Sequence, residues 1–232
     1  MQRFFKNPMM IIFLGFMIYN SITSGRFDNI GDWAITTILL IPGIVIGITF
    51  HEAAHAFAAY KLGDMTPKLQ HRVTLNPMSH IDPIGIIALV FVGFGWGKPV
   101  QVNPYAFKKY PRLCNIAVDL AGVVTNFVIA FVFTGVLRLL LDVGAPMPML
   151  ELVQYAILMN LVLMIFNLLP VPPLDGFGII TEIFNLRKFS WYPVFYNNGT
   201  IILLLLIVFN ITDGLLTPAI NTLLTFLMSV WF

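Results

Sequence analysis

Charged residues are scarce in this chain: Asp, Glu, Lys and Arg make up 10% of its 232 residues, whereas hydrophobic residues make up 58%. A soluble domain carries roughly 25% charged residues. The chain therefore cannot build a water-facing surface over most of its area. The composition predicts an all-α, polytopic membrane protein, because a length of this kind accommodates five or six spans of about 20 residues and little else.

Other absences exclude further classes of protein. The sole cysteine, Cys114, cannot form an internal disulfide, and a Cys-rich metal cluster is excluded with it. The net charge of +2 comes from scattered residues and not from a basic block, which argues against a nucleic-acid partner. We therefore expect a lipid bilayer, and no nucleic acid, around the chain.

Apolar runs predict about six transmembrane helices in a single integral-membrane domain that covers residues 1–232. The last two runs are separated by turn residues, which predicts a C-terminal helical hairpin over about 193–232. We interpret the first run as an uncleaved span and not as a signal peptide. The six runs cover about residues 8–22, 33–60, 116–141, 152–172, 193–211 and 214–232.

A seventh apolar run, residues 84–94, is too short to span a bilayer as a helix. It follows Pro83 and ends among Gly93, Gly95 and Gly97. Irregular backbone at membrane depth is tolerated only where protein covers it or where it lines a wet cavity. The run predicts a short membrane-associated β or re-entrant segment between the second and third spans.

Basic residues are distributed unequally between the predicted loops. One side carries only Arg26 and Arg138. Because cytoplasmic loops are enriched in Lys and Arg, we expect a multi-pass protein of the cell membrane whose N-terminus and long central loop are cytoplasmic. The basic residues assigned to that side are Arg3, Lys6, Lys61, Lys68, Arg72, Lys98, Lys108, Lys109, Arg112, Arg187 and Lys188.

The second span contains the sequence His-Glu-Ala-Ala-His at residues 51–55. Ionisable groups at membrane depth are costly and usually mark a functional site. On a helix, His51 and His55 share one face and can reach one metal ion, with Glu52 beside its bound water. This is the zinc-protease motif. The alternative is that His51 and Glu52 only neutralise each other between helices.

Catalytic zinc usually takes three protein ligands and one water, and Asp175 is the best candidate for the third ligand. It follows Pro170, Pro172 and Pro173, which break the fourth span near its end. Such a break is tolerated where the segment lines a cavity, and it lies at about the same depth as His51. The alternative for Asp175 is an ordinary Asp-Gly turn.

Together these motifs resemble the site-2 protease family of intramembrane zinc metalloproteases, in its small branch that lacks a PDZ or CBS domain. The resemblance is specific because an intramembrane HExxH motif is combined with a distant Pro-rich Asp-Gly. The segments that carry it are His51–His55, Leu75–Pro77, His80–Gly85, Gly95–Val100, Val102–Pro104, Gly122 with Asn126, and Asn167–Gly176.

The resemblance implies one Zn²⁺ per chain, held by His51, His55 and Asp175, in a catalytic core that covers about residues 33–176. It further implies that Glu52 is the general base and that Asn167 holds the substrate backbone or the oxyanion. The expected activity is hydrolysis of a peptide bond in or near a transmembrane segment of a single-span membrane protein. The active site is then expected on the cytoplasmic side.

Two other functions compete with this one. A metal-ion transporter would need polar residues in both halves of the bilayer, but residues 35–50 are almost wholly apolar. A catalytically inactive relative is disfavoured by the intact Glu52.

His71 and His80 are either stray ligands or structural hydrogen-bonding residues, and we favour the structural role. The sequence does not indicate the substrate, the gate or the oligomeric state.

Overall fold

A computed structural model describes residues 8–93 and 95–232 of the chain, and these residues are predominantly helical. The helices, numbered here in chain order, are α1 Pro8–Thr23, α2 Ile30–Lys61, α3 Thr66–Leu69, α4 Pro77–His80, α5 Pro83–Val92, α6 Pro111–Asp142, α7 Met147–Asn167, α8 Asp175–Phe184, α9 Tyr192–Val208 and α10 Ile211–Trp231. A 3₁₀ turn covers Leu186–Lys188.

Within the described part of the chain, four helices are long and apolar enough to cross a membrane: α2, α6, α7 and α10. The prediction of six spans is therefore confirmed only for these four. The other two runs form α1, with 16 residues, and α9, with 17 residues. Helices of that length extend about 24 to 26 Å, which is less than the roughly 30 Å of a hydrocarbon core.

The part of the run from residue 84 to residue 94 that the structure describes, residues 84–93, is not a strand. Residues Pro83–Val92 form α5, which begins where the Asp82 carboxylate accepts a hydrogen bond from Ile84 N–H at 3.1 Å. It ends at Gly93, whose φ of 81° is the left-handed conformation that glycine adopts readily. The proline and the glycine are thus a helix start and a helix stop, and the re-entrant alternative stays a prediction.

The β structure among the described residues is a single antiparallel bridge between Ile81 and Gly97. The backbone from Gly97 to Asn103 otherwise has no regular secondary structure, and its contacts with Glu52 and Asp64 hold it alongside the C-terminal part of α2.

Three long helices, α2, α6 and α7, pack together around the centre of the molecule. Small residues permit the close approach of α2 and α7. A Cβ atom on Gly43 would lie 2.7 Å from Ala156 Cα, and one on Gly47 would lie 3.2 Å from Asn160 Oδ1. Close packing of this kind is characteristic of membrane helices. It fixes the part of α2 that carries residues 51–55 against its neighbours.

Candidate metal centre

The two histidines of the HExxH motif lie one turn apart on α2 and face the interior of the helix bundle. His51 is 6% exposed and His55 is 7% exposed. Their Nε2 atoms are 2.9 Å apart. The i, i+4 spacing on a regular helix accounts for this geometry, because it brings both rings to one face.

The opposite ring nitrogen of each histidine contacts α6. His51 Nδ1 lies 3.0 Å from Asn126 Oδ1, and His55 Nδ1 lies 2.7 Å from the carbonyl oxygen of Val118. An oxygen acceptor at Nδ1 favours the tautomer that carries its proton there. Both Nε2 atoms then present lone pairs to the same point, which is how metal-binding histidines are commonly oriented.

Asp175, the first residue of α8, brings a carboxylate to this point. Its Oδ2 lies 3.2 Å from His51 Nε2 and 3.3 Å from His55 Nε2. The proline-rich connection after α7 turns sharply to deliver it, and Gly176 packs directly against the Leu168 carbonyl, where a Cβ atom would overlap. The glycine of the Asp-Gly pair is therefore required by close backbone contact and not only by a surface turn.

These donors suit a divalent cation. His51, His55 and Asp175 each offer one ligand atom, and the three atoms lie within 4.8 Å of one another. Two imidazole lone pairs and a carboxylate oxygen repel one another unless a positive charge lies between them. In a tetrahedral zinc site with bonds of about 2.0 Å, ligand atoms are about 3.3 Å apart, close to the separations of 2.9, 3.2 and 3.3 Å here.

Gly122 of α6 leaves room for the two imidazoles. A Cβ atom there would lie 2.5 Å from His55 Nε2 and 2.6 Å from His51 Cε1, closer than real contacts allow. Gly122 and Asn126, two of the residues that carry the family resemblance, both face the histidines: Gly122 leaves space for the two rings, and Asn126 contacts His51.

Glu52 lies beside this group and does not pair with His51. Its Oε2 accepts a hydrogen bond of 2.8 Å from the backbone N–H of Val100. Arg72 Nη2 lies 4.0 Å from the same oxygen. The alternative in which His51 and Glu52 neutralise each other is therefore not what the structure contains.

Comparison with known proteins agrees with this geometry. The sequence profile of peptidase family M50 matches residues 142–209, which include Asp175. YwhC of Bacillus subtilis, provisionally named as a zinc metalloprotease, is 40% identical over 190 residues, which cover 78% of this chain and 85% of YwhC. The chain belongs to peptidase family M50, the site-2 protease family.

More distant relatives carry a similar name. Rip2 of Mycolicibacterium smegmatis is 29% identical over 62% of this chain and 56% of Rip2, and Rip2 of Mycobacterium tuberculosis is 28% identical over the same shares. Both are provisionally named as zinc metalloproteases. The chain thus spans little more than half the length of these two proteins. No solved structure matched the chain.

Asn167, expected to face the substrate in this M50 member, is the last residue of α7. Its side-chain nitrogen donates to the Leu163 carbonyl of its own helix at 2.9 Å. Among the described residues, that intrahelical bond is the hydrogen bond its side chain makes. The structure therefore leaves its predicted role in substrate binding untested.

The other two histidines, His71 and His80, do not belong to the group formed by His51, His55 and Asp175. His80 is fully buried, and its Nε2 lies 2.8 Å from the Thr74 carbonyl oxygen. Burial lowers the pKa of His80, so the ring favours its neutral form. His71 is exposed. These contacts agree with a structural role for His80 and do not bring either residue to the metal centre.

Sequence reasoning missed two contributors to this M50 site. The Val118 carbonyl, which contacts His55, is a backbone group with no signature in the sequence. Arg72 entered only as one of many basic loop residues, although its side chain is 13% exposed and faces Glu52. The contact between a largely buried Arg72 and Glu52 forms only when the loop folds against α2, so the sequence around Arg72 does not indicate it.

Proposed function

We propose that this chain is an intramembrane zinc endopeptidase that hydrolyses a peptide bond in or near a transmembrane segment of a membrane protein. The observation that carries the proposal is the meeting of His51, His55 and Asp175 at one point beside Glu52, within a bundle of membrane-length helices. Membership of a peptidase family favours hydrolysis over metal permeation.

His51, His55 and Asp175 would hold one Zn²⁺ per chain. Zinc, when bound, polarises a scissile carbonyl and lowers the pKa of water toward 7. The protein's part is to keep both Nε2 atoms unprotonated through the Asn126 and Val118 contacts. The surrounding helices keep bulk water away from these buried groups.

Glu52 would act as the general base. Its carboxylate accepts a proton from the attacking water and then passes that proton to the amine that leaves. The Val100 N–H bonds Oε2 and thereby limits rotation of the carboxylate. The other oxygen, Oε1, remains able to accept the proton.

The substrate must present an extended backbone, because a helical peptide hides its carbonyl groups in its own hydrogen bonds. The non-helical segment from Gly97 to Asn103 lies next to Glu52 and would offer backbone groups for such a chain. Asn167 would contribute by binding the substrate backbone or the oxyanion once its side chain leaves the Leu163 carbonyl.

The arrangement in the membrane is part of the proposal. We assign six crossings, with α1 and α9 as short spans beside the four long ones. The distribution of Lys and Arg supports a cytoplasmic N-terminus and a cytoplasmic loop after α2. The metal centre would then lie nearer the cytoplasmic face, since His51 precedes Lys61 by ten residues, or about 15 Å of helix.

A cleavage assay tests the proposed function. The purified protein in detergent is mixed with a panel of labelled single-span peptides that carry Gly and Pro near one end of the span. We expect the wild type to cleave at least one peptide, and Glu52→Gln to keep its zinc and lose cleavage. Glu151→Gln makes the same chemical change near the start of α7 and should remain active. Full activity of Glu52→Gln would refute the mechanism.

A further inference from the structure

Arg72 lies beside Glu52, although the two residues belong to different parts of the fold. Arg72 is in the loop after α2, and its Nη2 is 4.0 Å from Glu52 Oε2. Only 13% of the Arg72 side chain and 15% of the Glu52 side chain are exposed. The opposite charges therefore face each other with little water to screen them.

The same nitrogen of Arg72 also holds a neighbouring backbone. Nη2 donates a hydrogen bond to the carbonyl of Lys98, and the N–H of Lys98 donates to the His80 carbonyl at 2.7 Å. Two residues further along the chain, the N–H of Val100 donates to Glu52 Oε2. Arg72 thus contacts both ends of a short bridge that runs from Lys98 through Val100 to Glu52.

This bridge belongs to the non-helical segment Gly97–Asn103, which follows α2 toward its C-terminal end. Near its start, a Cβ on Gly97 would lie 2.9 Å from a methyl carbon of Ile48, one turn before Glu52. At its end, the Asn103 N–H donates to Asp64 Oδ2 at 2.7 Å. Between these two anchors, Arg72 is the side chain that fixes the Lys98 carbonyl.

An arginine at this position is costly. Its Nε is buried and has no hydrogen-bond partner among residues 8–93 and 95–232, and an unpaired buried donor lowers the stability of the fold. An apolar side chain of similar length would fill the space without that cost. What distinguishes arginine here is the pair of contacts that Nη2 makes with Lys98 and Glu52.

We propose that Arg72 is a positioning residue for hydrolysis: it holds the Lys98 carbonyl, and with it the Val100 N–H, so that the Glu52 carboxylate keeps one orientation beside the metal centre. The inference rests on the proposed role of Glu52 as proton acceptor. Small displacements of a reacting group reduce rates strongly, so Arg72 affects the chemical step without touching the substrate.

The first test replaces Arg72 and measures kcat and KM separately, with a labelled single-span peptide that the wild type cleaves and Glu52→Gln does not. Arg72→Gln should keep its zinc and its KM, and its kcat should fall about 10- to 100-fold. Arg72→Lys keeps the charge and one donor and should recover part of the loss. Arg112→Gln, which changes an exposed arginine on α6, is the matched control and should retain the wild-type kcat.

A second test asks whether Arg72 acts through Val100. Val100→Pro removes the N–H that bonds Glu52 and should also lower kcat. If the two residues act through one bridge, Arg72→Gln combined with Val100→Pro should lose no more activity than the more damaging single variant. A merely structural weakening would instead multiply the two losses. The zinc content and thermal midpoint of each variant identify any loss that comes from unfolding.

Each outcome decides the inference. A wild-type kcat in Arg72→Gln overturns it, and so does a multiplicative loss in the double variant. Loss of zinc from Arg72→Gln also overturns it, because Arg72 would then maintain the metal centre and not the base. If Val100→Pro fails to fold, the comparison of Arg72→Lys with Arg72→Gln still tests the inference. Partial recovery of kcat in Arg72→Lys supports it, and absence of recovery counts against it. Full activity of Glu52→Gln would refute the proposed function instead.

Discussion

Asp175 supplies the only carboxylate in the group of three side chains of the described structure that could hold a metal ion. Asp175→Ala leaves the two imidazoles without an anionic ligand, so we expect zinc to fall well below the roughly one ion per chain expected of the wild type. Elemental analysis of protein purified without added zinc measures this. Asp213→Ala, which removes an exposed carboxylate on α10, should keep its zinc. Full zinc in Asp175→Ala would mean that the third ligand is another residue.

Asn126 acts one step away from the candidate metal site. Its Oδ1 contacts His51 Nδ1, and Asn126→Leu removes that acceptor while keeping the number and branching of the side-chain heavy atoms. Loss of such a partner typically weakens metal binding by about 10- to 100-fold. Titration of each variant with zinc in the presence of a competing chelator measures the zinc affinity. Asn197→Leu, at an exposed position of α9, is the control. Equal affinities in both variants would contradict the assigned role.

The residues of the site differ in how far the sequence predicts them. The shared face of His51 and His55 follows from local helix geometry alone. The approach of Asp175 to α2 depends on how α8 packs against α6, so its assignment needed a motif as well as spacing. The Val118 carbonyl and the Arg72 guanidinium depend wholly on tertiary packing, and nothing in their own neighbourhoods indicates them.

At the scale of elements, the run after Asp82 shows where pattern reading fails. A continuous apolar run has no periodicity, so a buried strand and a short buried helix look alike. Pro83 and Gly93 fit both interpretations, as turn residues or as helix ends. The discriminating residue is Asp82, because an Asp directly before Pro is a helix start signal, and its carboxylate bonds both Ile84 N–H and Trp96 Nε1.

The basic residues of the loops that join the long helices predict the orientation of the protein in the membrane. Because basic residues are concentrated between α2 and α6, we expect a reporter fused after Lys109 to be cytoplasmic and one placed near Asp28 to be external. Paired fusions to an enzyme that is active only outside the cytoplasm and to one active only inside it measure this. Reversed labelling would move the metal centre toward the external face.

At the scale of the whole molecule, the described residues are predominantly helical, and four of the helices are long and apolar enough to cross a membrane. We expect these helices and the segments between them to contact the substrate, and cleavage to depend on how readily the substrate helix unwinds. Changing Gly or Pro near the cut to Leu in a confirmed single-span substrate should slow hydrolysis, since Leu favours helix. The same change near the external end of that span should have little effect. A cleavage rate that does not change with helix propensity at the cut would contradict the requirement for unwinding.

The metal centre joins three helices that are widely separated along the chain: His51 on α2, Asn126 on α6 and Asp175 on α8. During synthesis, a chain that has not yet reached Asp175 holds the two histidines and the base but lacks the carboxylate. With the proposed ligand set, we expect the growing protein to be inactive toward membrane helices that are inserted beside it, including its own. Proteolytic activity would then begin only when α8 has docked, so the order of translation would delay the enzyme until its fold is nearly complete.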